Sequence, residues 1–319
     1  MSVASSPIVV ALVGLGNIGF RHLQGLNAIA DRTRLVGVDL SPENLARAKA
    51  EWKGEDALFT NGPTPPGLRA DVLLLATSSQ GRLKLLREWG ERLSPRHVIL
   101  EKVAFTRAAD FDEAARLVDA WDASAYVNCP RRLWPSFHAL RARLAAETGP
   151  IEVTLSDPNL GLACNGVHIV DAFQFLAGRD DVRLDTCEID ELFKSKRSGY
   201  FEAYGALRVS TPASDVLSLT VRKAADKDHC LVVQRGRMRL SLDQAKGLAT
   251  DQDGVEHAFG AAPFQSALTG MVVGKIVDGH GSDLPDLSAS ARAHDVLMQP
   301  LRRAFAAAGV ADDVELPIT

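Results

Sequence analysis

The chain has 319 residues, 46% hydrophobic and 24% charged, a length and balance that suit a globular protein of two domains with sizeable cores. A net charge of −4 offers nothing to a nucleic-acid partner, and no apolar run approaches the length of a membrane span. Cys129, Cys164, Cys187 and Cys230 are scattered without a C-x-x-C pair, which argues against a zinc knuckle or redox dithiol; no metal site is expected, and reduced thiols in a cytoplasmic protein are.

The first part of the chain alternates strand and helix. An apolar, β-branched run over 8–13 has no Lys or Arg ahead of it and passes straight into Gly14-Leu15-Gly16-Asn17-Ile18-Gly19, so it reads as a buried strand and not a secretion signal. A helix is expected over 19–30, a strand over 35–39, and a helix over 42–51 capped by Ser41. Breakers make 61–67 a loop, followed by a third strand over 72–76. A helix over 81–93, a strand over 98–100, a helix over 111–121 and a strand from 125 continue the series. This alternation predicts a doubly wound parallel sheet, a Rossmann-type α/β domain over 1–128. Past Cys129 a helix over 135–147, a strand over 151–155 and a helix over 167–176 come first. Strand-like segments then cluster at 205–209, 216–221, 230–233 and 238–242, and helices return at 264–277 and 288–308, the second expected to be irregular at Pro300. The second domain, 129–319, is therefore expected to be α+β with a mainly antiparallel sheet.

A glycine turn after a strand and before a helix is the setting in which G-x-G-x-x-G holds a dinucleotide pyrophosphate. Gly14 permits the tight turn, Gly16 lets backbone approach the phosphates, and Gly19 lets the helix pack on the strand; Asn17 and Ile18 complete the turn. Asp39 lies twenty positions after Gly19, where a carboxylate accepts from both ribose hydroxyls and repels a 2′-phosphate. The next residues, Leu40, Ser41 and Pro42, include no arginine, so NAD is favoured over NADP. The plainer reading of Asp39 is a cap for the helix from Pro42. Ala76, Thr77 and Glu101, at later strand ends, are expected to border the same cofactor.

Three groups carry candidate chemistry. Lys102 directly follows a strand end, where a lysine can bond a substrate hydroxyl or carbonyl; the alternative is a solvated loop lysine. His168 and Asp171 share a helix face at i, i+3, so the carboxylate could hold the imidazole's tautomer while His168 takes a hydroxyl proton; the alternative is a plain helix pair. Arg131 and Arg132 suit a substrate carboxylate or phosphate, or else salt bridges between domains. Lys194, Lys196 and Arg197 read as a solvated loop.

Taken in order, these residues resemble the Gfo/Idh/MocA family, the glucose–fructose oxidoreductase and inositol dehydrogenase relatives. The similarity runs over nearly the whole chain: the glycine turn with Arg21-His22-Leu23, Glu101-Lys102, Asn128 with Arg131-Arg132, Gly166-x-His168-x-x-Asp171, and Leu284-Pro285. The resemblance implies a Rossmann domain followed by an α+β domain whose open-faced sheet often mediates homo-oligomerisation. It implies an oxidoreductase acting on a sugar or cyclitol hydroxyl with NAD or NADP, with Lys102 and His168 as the catalytic pair. Two positions depart from the family pattern: Val103 stands where proline usually follows Glu-Lys, and Cys164 stands four residues before the histidine where an acid is common. The stretch 159–168, with Lys194–Arg197, Glu202 and Gly205, further resembles a subgroup found with nonulosonic-acid sugars, in which the pair Cys164-Asn165 is shared. That resemblance implies an anionic sugar contacted by Arg131, Arg132, Cys164 and Asn165, with Lys196 or Arg197 as a further cation. Two other readings stay open at this point: an NAD-dependent glycosidase on the same scaffold, and a non-catalytic NAD-binding sensor or pathway partner.

Overall fold

The structure is a computed structural model and describes residues 6–223, 230–311 and 314–319. The chain divides into two compact units, one built from 1–104, 109–128 and 263–287, the other from 105–108, 129–262 and 288–319.

In the first unit β1 (Ile8–Val13) leads through the glycine turn into α1 (Asn17–Leu26), which tightens into a 3-10 segment over Asn27–Arg32. β2 (Thr33–Val38), α2 (Pro42–Glu51), β3 (Ala57–Thr60), β4 (Val72–Leu75), α3 (Arg82–Leu93), β5 (His97–Glu101), α4 (Ala108–Ala120) and β6 (Ser124–Asn128) follow. The six strands form a sheet in the order β3-β2-β1-β4-β5-β6, parallel throughout. Strand order reverses between β1 and β4, the switch point outside which ligands bind in doubly wound sheets. β4 is wholly buried, which is why its uninterrupted Val-Leu-Leu-Leu run was legible as a central strand. β3 was not expected: it is a four-residue edge strand, nowhere buried, and its apolar run is only Ala57-Leu58-Phe59. Ser41 caps α2 as expected, its hydroxyl accepting from Asn44 N at 3.2 Å.

The second unit holds α5 (Pro135–Ala145), β7 (Ile151–Ser156), α6 (Leu162–Ala177), β8 (Arg183–Lys194), β9 (Phe201–Ser210), β10 (Val216–Val221), β11 (Cys230–Arg235), β12 (Met238–Asp243), β13 (Leu248–Asp251) and β14 (Glu256–Ala258). These make an eight-stranded sheet, β14-β13-β12-β11-β7-β10-β9-β8, antiparallel except for the β7–β10 pair. α6 lies against β9 and β10. β7 alternates buried Ile151, Val153 and Leu155 with exposed Glu152 and Thr154, the signature of a sheet with one covered face and one open one.

Two expectations are corrected. The basic residue Lys194 closes the twelve-residue strand β8 and does not begin a loop; solvated charges along that strand hid its period. A single domain boundary at 128 also fails, because α7 (Gln265–Val277) belongs to the first unit and packs on α1. The contact is close: a Cβ at Gly270 would lie 2.5 Å from Gly25 O. The following segment stays there, with Val127 N donating to Pro285 O at 3.0 Å. α8 (Leu287–Ala307) then runs as a continuous helix through Pro300.

Candidate functional site

The glycine turn has the geometry its sequence calls for. Gly14 sits at φ +89°, with its N–H donating to Val38 O at 2.8 Å, and an added Cβ would press on Ala76 and Thr77 at 3.0 Å. At Gly19 an added Cβ would fall 1.8 Å from Gly14 O, so only glycine lets α1 rise this close to the turn. Gly16 is the opposite case: a Cβ there would meet no protein atom within 4 Å, which leaves bare backbone facing open space at the head of α1. Asn17 and Ile18 are exposed at the same end. Backbone N–H groups at an open helix head are what a pyrophosphate requires, so these residues fit a dinucleotide.

Asp39 ends β2 beside this turn. One carboxylate oxygen accepts from Leu15 N at 2.6 Å, the other from Ser41 N at 2.8 Å and Asn44 Nδ2 at 3.2 Å. The carboxylate is thereby fixed at the rim of a groove of about 540 Å³ lined by Gly14, Asp39, Pro63, Thr77, Leu85 and Trp89, among others. The slot is mostly apolar, with Asp39 at its edge and Glu88 and Arg92 as its other charged residues, and it suits an adenosine, whose base needs flat walls and whose ribose needs an acceptor. Sequence reading missed Arg47. It stands on α2, donates to Leu15 O at 2.9 Å, and lies 4.4 Å from the centre of the Phe20 ring.

The ends of β4 and β5 carry the next groups. Ala76 N donates to Val13 O at 2.8 Å, continuing the β1–β4 pairing, and Thr77 lines the groove. Lys102 follows β5, half-buried, and is joined to the buried Val103 by a cis peptide bond. The backbone around Lys102 is held by a second residue that sequence reading missed. Arg82, at the first turn of α3, is fully buried and donates to the carbonyls of Thr77, Glu101, Val103 and Ala104. One planar guanidinium thus ties the ends of two strands together.

Glu101 was expected to border the cofactor, but its carboxylate turns inward and is 5% exposed. It bonds His22 Nε2 at 2.8 Å and Asn128 Nδ2, while His22 Nδ1 meets Thr269 Oγ1 at 2.9 Å. Asn128 also donates to Gln265 Oε1 at 3.0 Å, so the network spans α1, β5, β6 and α7. Burial alone would raise the Glu101 pKa; hydrogen bonds from His22 and Asn128, with the charge of Lys102, outweigh it and hold the group below its ordinary value.

In the second unit α6 carries the other candidates. Between 161 and 176 only Asn165 and His168 escape burial, one helical turn apart. Helix α6 starts at Leu162, five residues earlier than expected, because Glu202 from β9 receives its first N–H groups. Glu202 Oε1 accepts from Ala163 N at 2.6 Å and Cys164 N at 3.2 Å, while Gly161 before the helix has no side chain to offer. The Cys164 thiol is turned toward Phe201 O at 3.7 Å and is 8% exposed, so a substrate contact for it is withdrawn.

Asp171 does not hold His168. It is fully buried, one oxygen accepts from Arg132 Nε at 2.8 Å, and the other has no hydrogen-bond partner among the described residues. Burial pushes its carboxyl up to about 7, against the pull of Arg132 and Arg131. Arg132 also reaches Gln174 Oε1 at 3.5 Å, so it is an internal residue and not a free anion ligand. Arg131 differs. Its Nε donates to Gln244 at 3.0 Å, its guanidinium lies 5.1 Å from the Trp134 ring centre, and it forms no salt bridge among the described residues. Desolvation lowers its pKa to about 10, against the pull of Asp171 and Asp157, so at neutral pH it remains a cation.

No family model and no curated protein matches this chain. Solved structures do. An oxidoreductase from Agrobacterium radiobacter, solved with NAD+, L-tartaric acid and magnesium, is 14% identical and superposes with a TM-score of 0.71 over 92% of this chain and 94% of its own. The WlbA dehydrogenase from Bordetella pertussis, in complex with NADH and UDP-GlcNAcA, is 18% identical with a TM-score of 0.70, covering 98% and 99%. The UDP-N-acetylglucosamine 3-dehydrogenase GnnA from Acidithiobacillus ferrooxidans is 14% identical with a TM-score of 0.70, covering 92% and 96%. At such identities the likeness is one of fold, and it extends over both units.

Proposed function

We propose that this chain, which has the fold of the Gfo/Idh/MocA oxidoreductases, is an NAD-dependent dehydrogenase acting on a secondary hydroxyl, or the matching ketone, of an anionic sugar derivative. The observation that carries this reading is the open glycine turn beside an Asp39-edged groove at the sheet's switch point. NAD, when bound, supplies the hydride acceptor. Gly14, Gly16, Asn17, Ile18 and Gly19 hold the pyrophosphate, Asp39 accepts from the adenosine ribose, and Ala76 and Thr77 border the ring end. The carboxylate of Glu101 is left to the internal network.

Lys102 donates to the substrate oxygen and stabilises the charge that develops there as the hydroxyl is oxidised. His168 accepts the hydroxyl proton, with Asn165 beside it as a polar contact. Arg131 pairs with the anionic group of the sugar, since its cation is desolvated, oriented by Gln244 and Trp134, and in no salt bridge among the described residues. The neighbours solved or named with nucleotide sugars support a substrate of that kind. A second copy of the chain covers the open face of the eight-stranded sheet, and this copy is the expected protein partner.

The test begins with calorimetric titration of NAD, then NADH formation at 340 nm over a panel of uronic acids, nonulosonic acids and their nucleotide-linked forms. Lys102→Ala and His168→Ala should each lower kcat by about 10²–10⁴-fold with NAD affinity within about twofold. Arg131→Leu should raise KM for anionic members of the panel only. Full turnover without Lys102, or no dinucleotide uptake by the natural chain, refutes the reading.

A further inference from the structure

Glu202 offers α6 more than a cap requires. Its Oε1 accepts from Ala163 N at 2.6 Å, Cys164 N at 3.2 Å and Ala203 N at 2.9 Å, so one oxygen takes all three donors. Its Oε2 has no hydrogen-bond partner among the described residues, and the side chain is only half-buried. A carboxylate has about four acceptor sites, and those on Oε2 are left over. A cap needs a single acceptor, which a serine or asparagine at the head of the helix would supply. The chain has Gly161 there, and a Cβ on it would lie 2.3 Å from Oε2, so a local cap and this oxygen exclude each other. The leftover oxygen stands at the head of the helix that carries Asn165 and His168, the two residues between 161 and 176 that escape burial. Asn165 directly follows the capped Cys164, and His168 lies four residues past it, about 6 Å along the axis.

We propose that Glu202 is a specificity-determining residue for the substrate: its Oε2 accepts a hydrogen bond from a ring hydroxyl other than the one His168 deprotonates. This inference rests on the reading of His168 as proton acceptor for a sugar hydroxyl, and it narrows the substrate to sugars with a second hydroxyl on the same ring. Three backbone donors hold Oε1, so the carboxylate is oriented before any sugar arrives and little ordering is left to binding. A hydroxyl donating to a charged acceptor makes a stronger bond than one donating to a neutral acceptor. The same charge turns away the sugar's anionic group, so the ring presents hydroxyls to this end of α6. A plain capping role for Glu202 would act on every substrate alike.

Glu202→Gln separates the two roles, because it keeps an oxygen for the three N–H groups and replaces Oε2 with a donor. The probes are the best substrate of the sugar panel and its analogues in which one remaining ring hydroxyl at a time is replaced by fluorine, which cannot donate. With the natural chain, one analogue should lose at least about tenfold in kcat/KM relative to the parent sugar. Glu202→Gln should shrink that loss to within about twofold and leave the losses of the other analogues as they were. The inductive effect of fluorine on hydride transfer is the same in both proteins and cancels from the comparison. Calorimetric titration of the same sugars into the chain saturated with NADH, where no turnover occurs, should give the same pattern. Gly161→Ala, whose Cβ displaces Oε2 while Glu202 is retained, is a second route to the same loss of discrimination. Unchanged discrimination in both variants, or a natural chain that tolerates fluorine at every position, overturns the proposal while the dehydrogenase reading stands. If the natural chain binds NAD but turns over no member of the panel, the substrate reading falls and this inference with it.

Discussion

Asp171 illustrates what burial does to a single carboxyl. One oxygen is paired with Arg132 and the other has no hydrogen-bond partner among the described residues, so the ionised form is only half compensated. Its pKa rises from an ordinary 3.8 to about 7. Between those values the folded chain keeps a proton that the unfolded chain releases. Stability contributed by this group is therefore full below about pH 4, falls as pH rises toward 7, and is flat above. Asp171→Asn should abolish that slope, so the gap in denaturation midpoint between variant and natural chain should move with pH across this window. A constant gap from pH 4 to 8 would count against the shift. The residue was visible in the sequence as a partner for His168, because spacing puts both on one helix face. Its real partner, Arg132, lies 39 positions upstream, and no pattern in the sequence marks that meeting. Arg82 was invisible for a related reason: a single arginine at the start of a helix reads as solvated until four carbonyls are seen around it.

At the scale of elements, α6 depends on a cap it does not carry. Glu202 lies 39 residues past Ala163, yet its carboxylate takes the helix's first N–H groups, where the helix dipole also favours a negative charge. Glu202→Ala should cost about 1–2 kcal/mol in chemical denaturation, and Glu202→Gln less, since a carboxamide oxygen can still accept. Equal midpoints for Glu202→Ala and the natural chain would rule the cap out. Helices and strands with one strong period or one uninterrupted apolar run were legible: α2 and its Ser41 cap, β4, and the tail helix α8. Elements whose burial is uneven were not. β8 keeps charges along both its edges of exposure, and β3 is too short to show a period.

For the whole molecule, the chain returns to its first unit after building its second. Residues 263–287 pack there because Gly25 and Gly270 let α1 and α7 approach at backbone distance, a fit that two glycines 245 positions apart do not announce. The open face of the eight-stranded sheet bears on assembly. Thr154, on the central strand β7, is exposed between Ser218 of β10 and Val232 of β11. If a second copy covers this face, light scattering after gel filtration should give a multiple of the chain mass, and Thr154→Arg should reduce it toward a single chain. A natural chain that elutes at the mass of one copy refutes the proposed interface. Among the described residues no helix is long and apolar enough to cross a membrane.

By itself the sequence determined the doubly wound sheet, the glycine turn and Asp39 at its edge. These rest on demands of the backbone that very few residue types can meet, so the residue type is itself the record of the geometry. Only the tertiary structure decided which side chains are spoken for: Glu101 by His22, Asp171 by Arg132, the α6 terminus by Glu202, and Arg47 by the Leu15 carbonyl. A charged group takes its role from whatever desolvates and pairs it, and that company is assembled from distant parts of the chain.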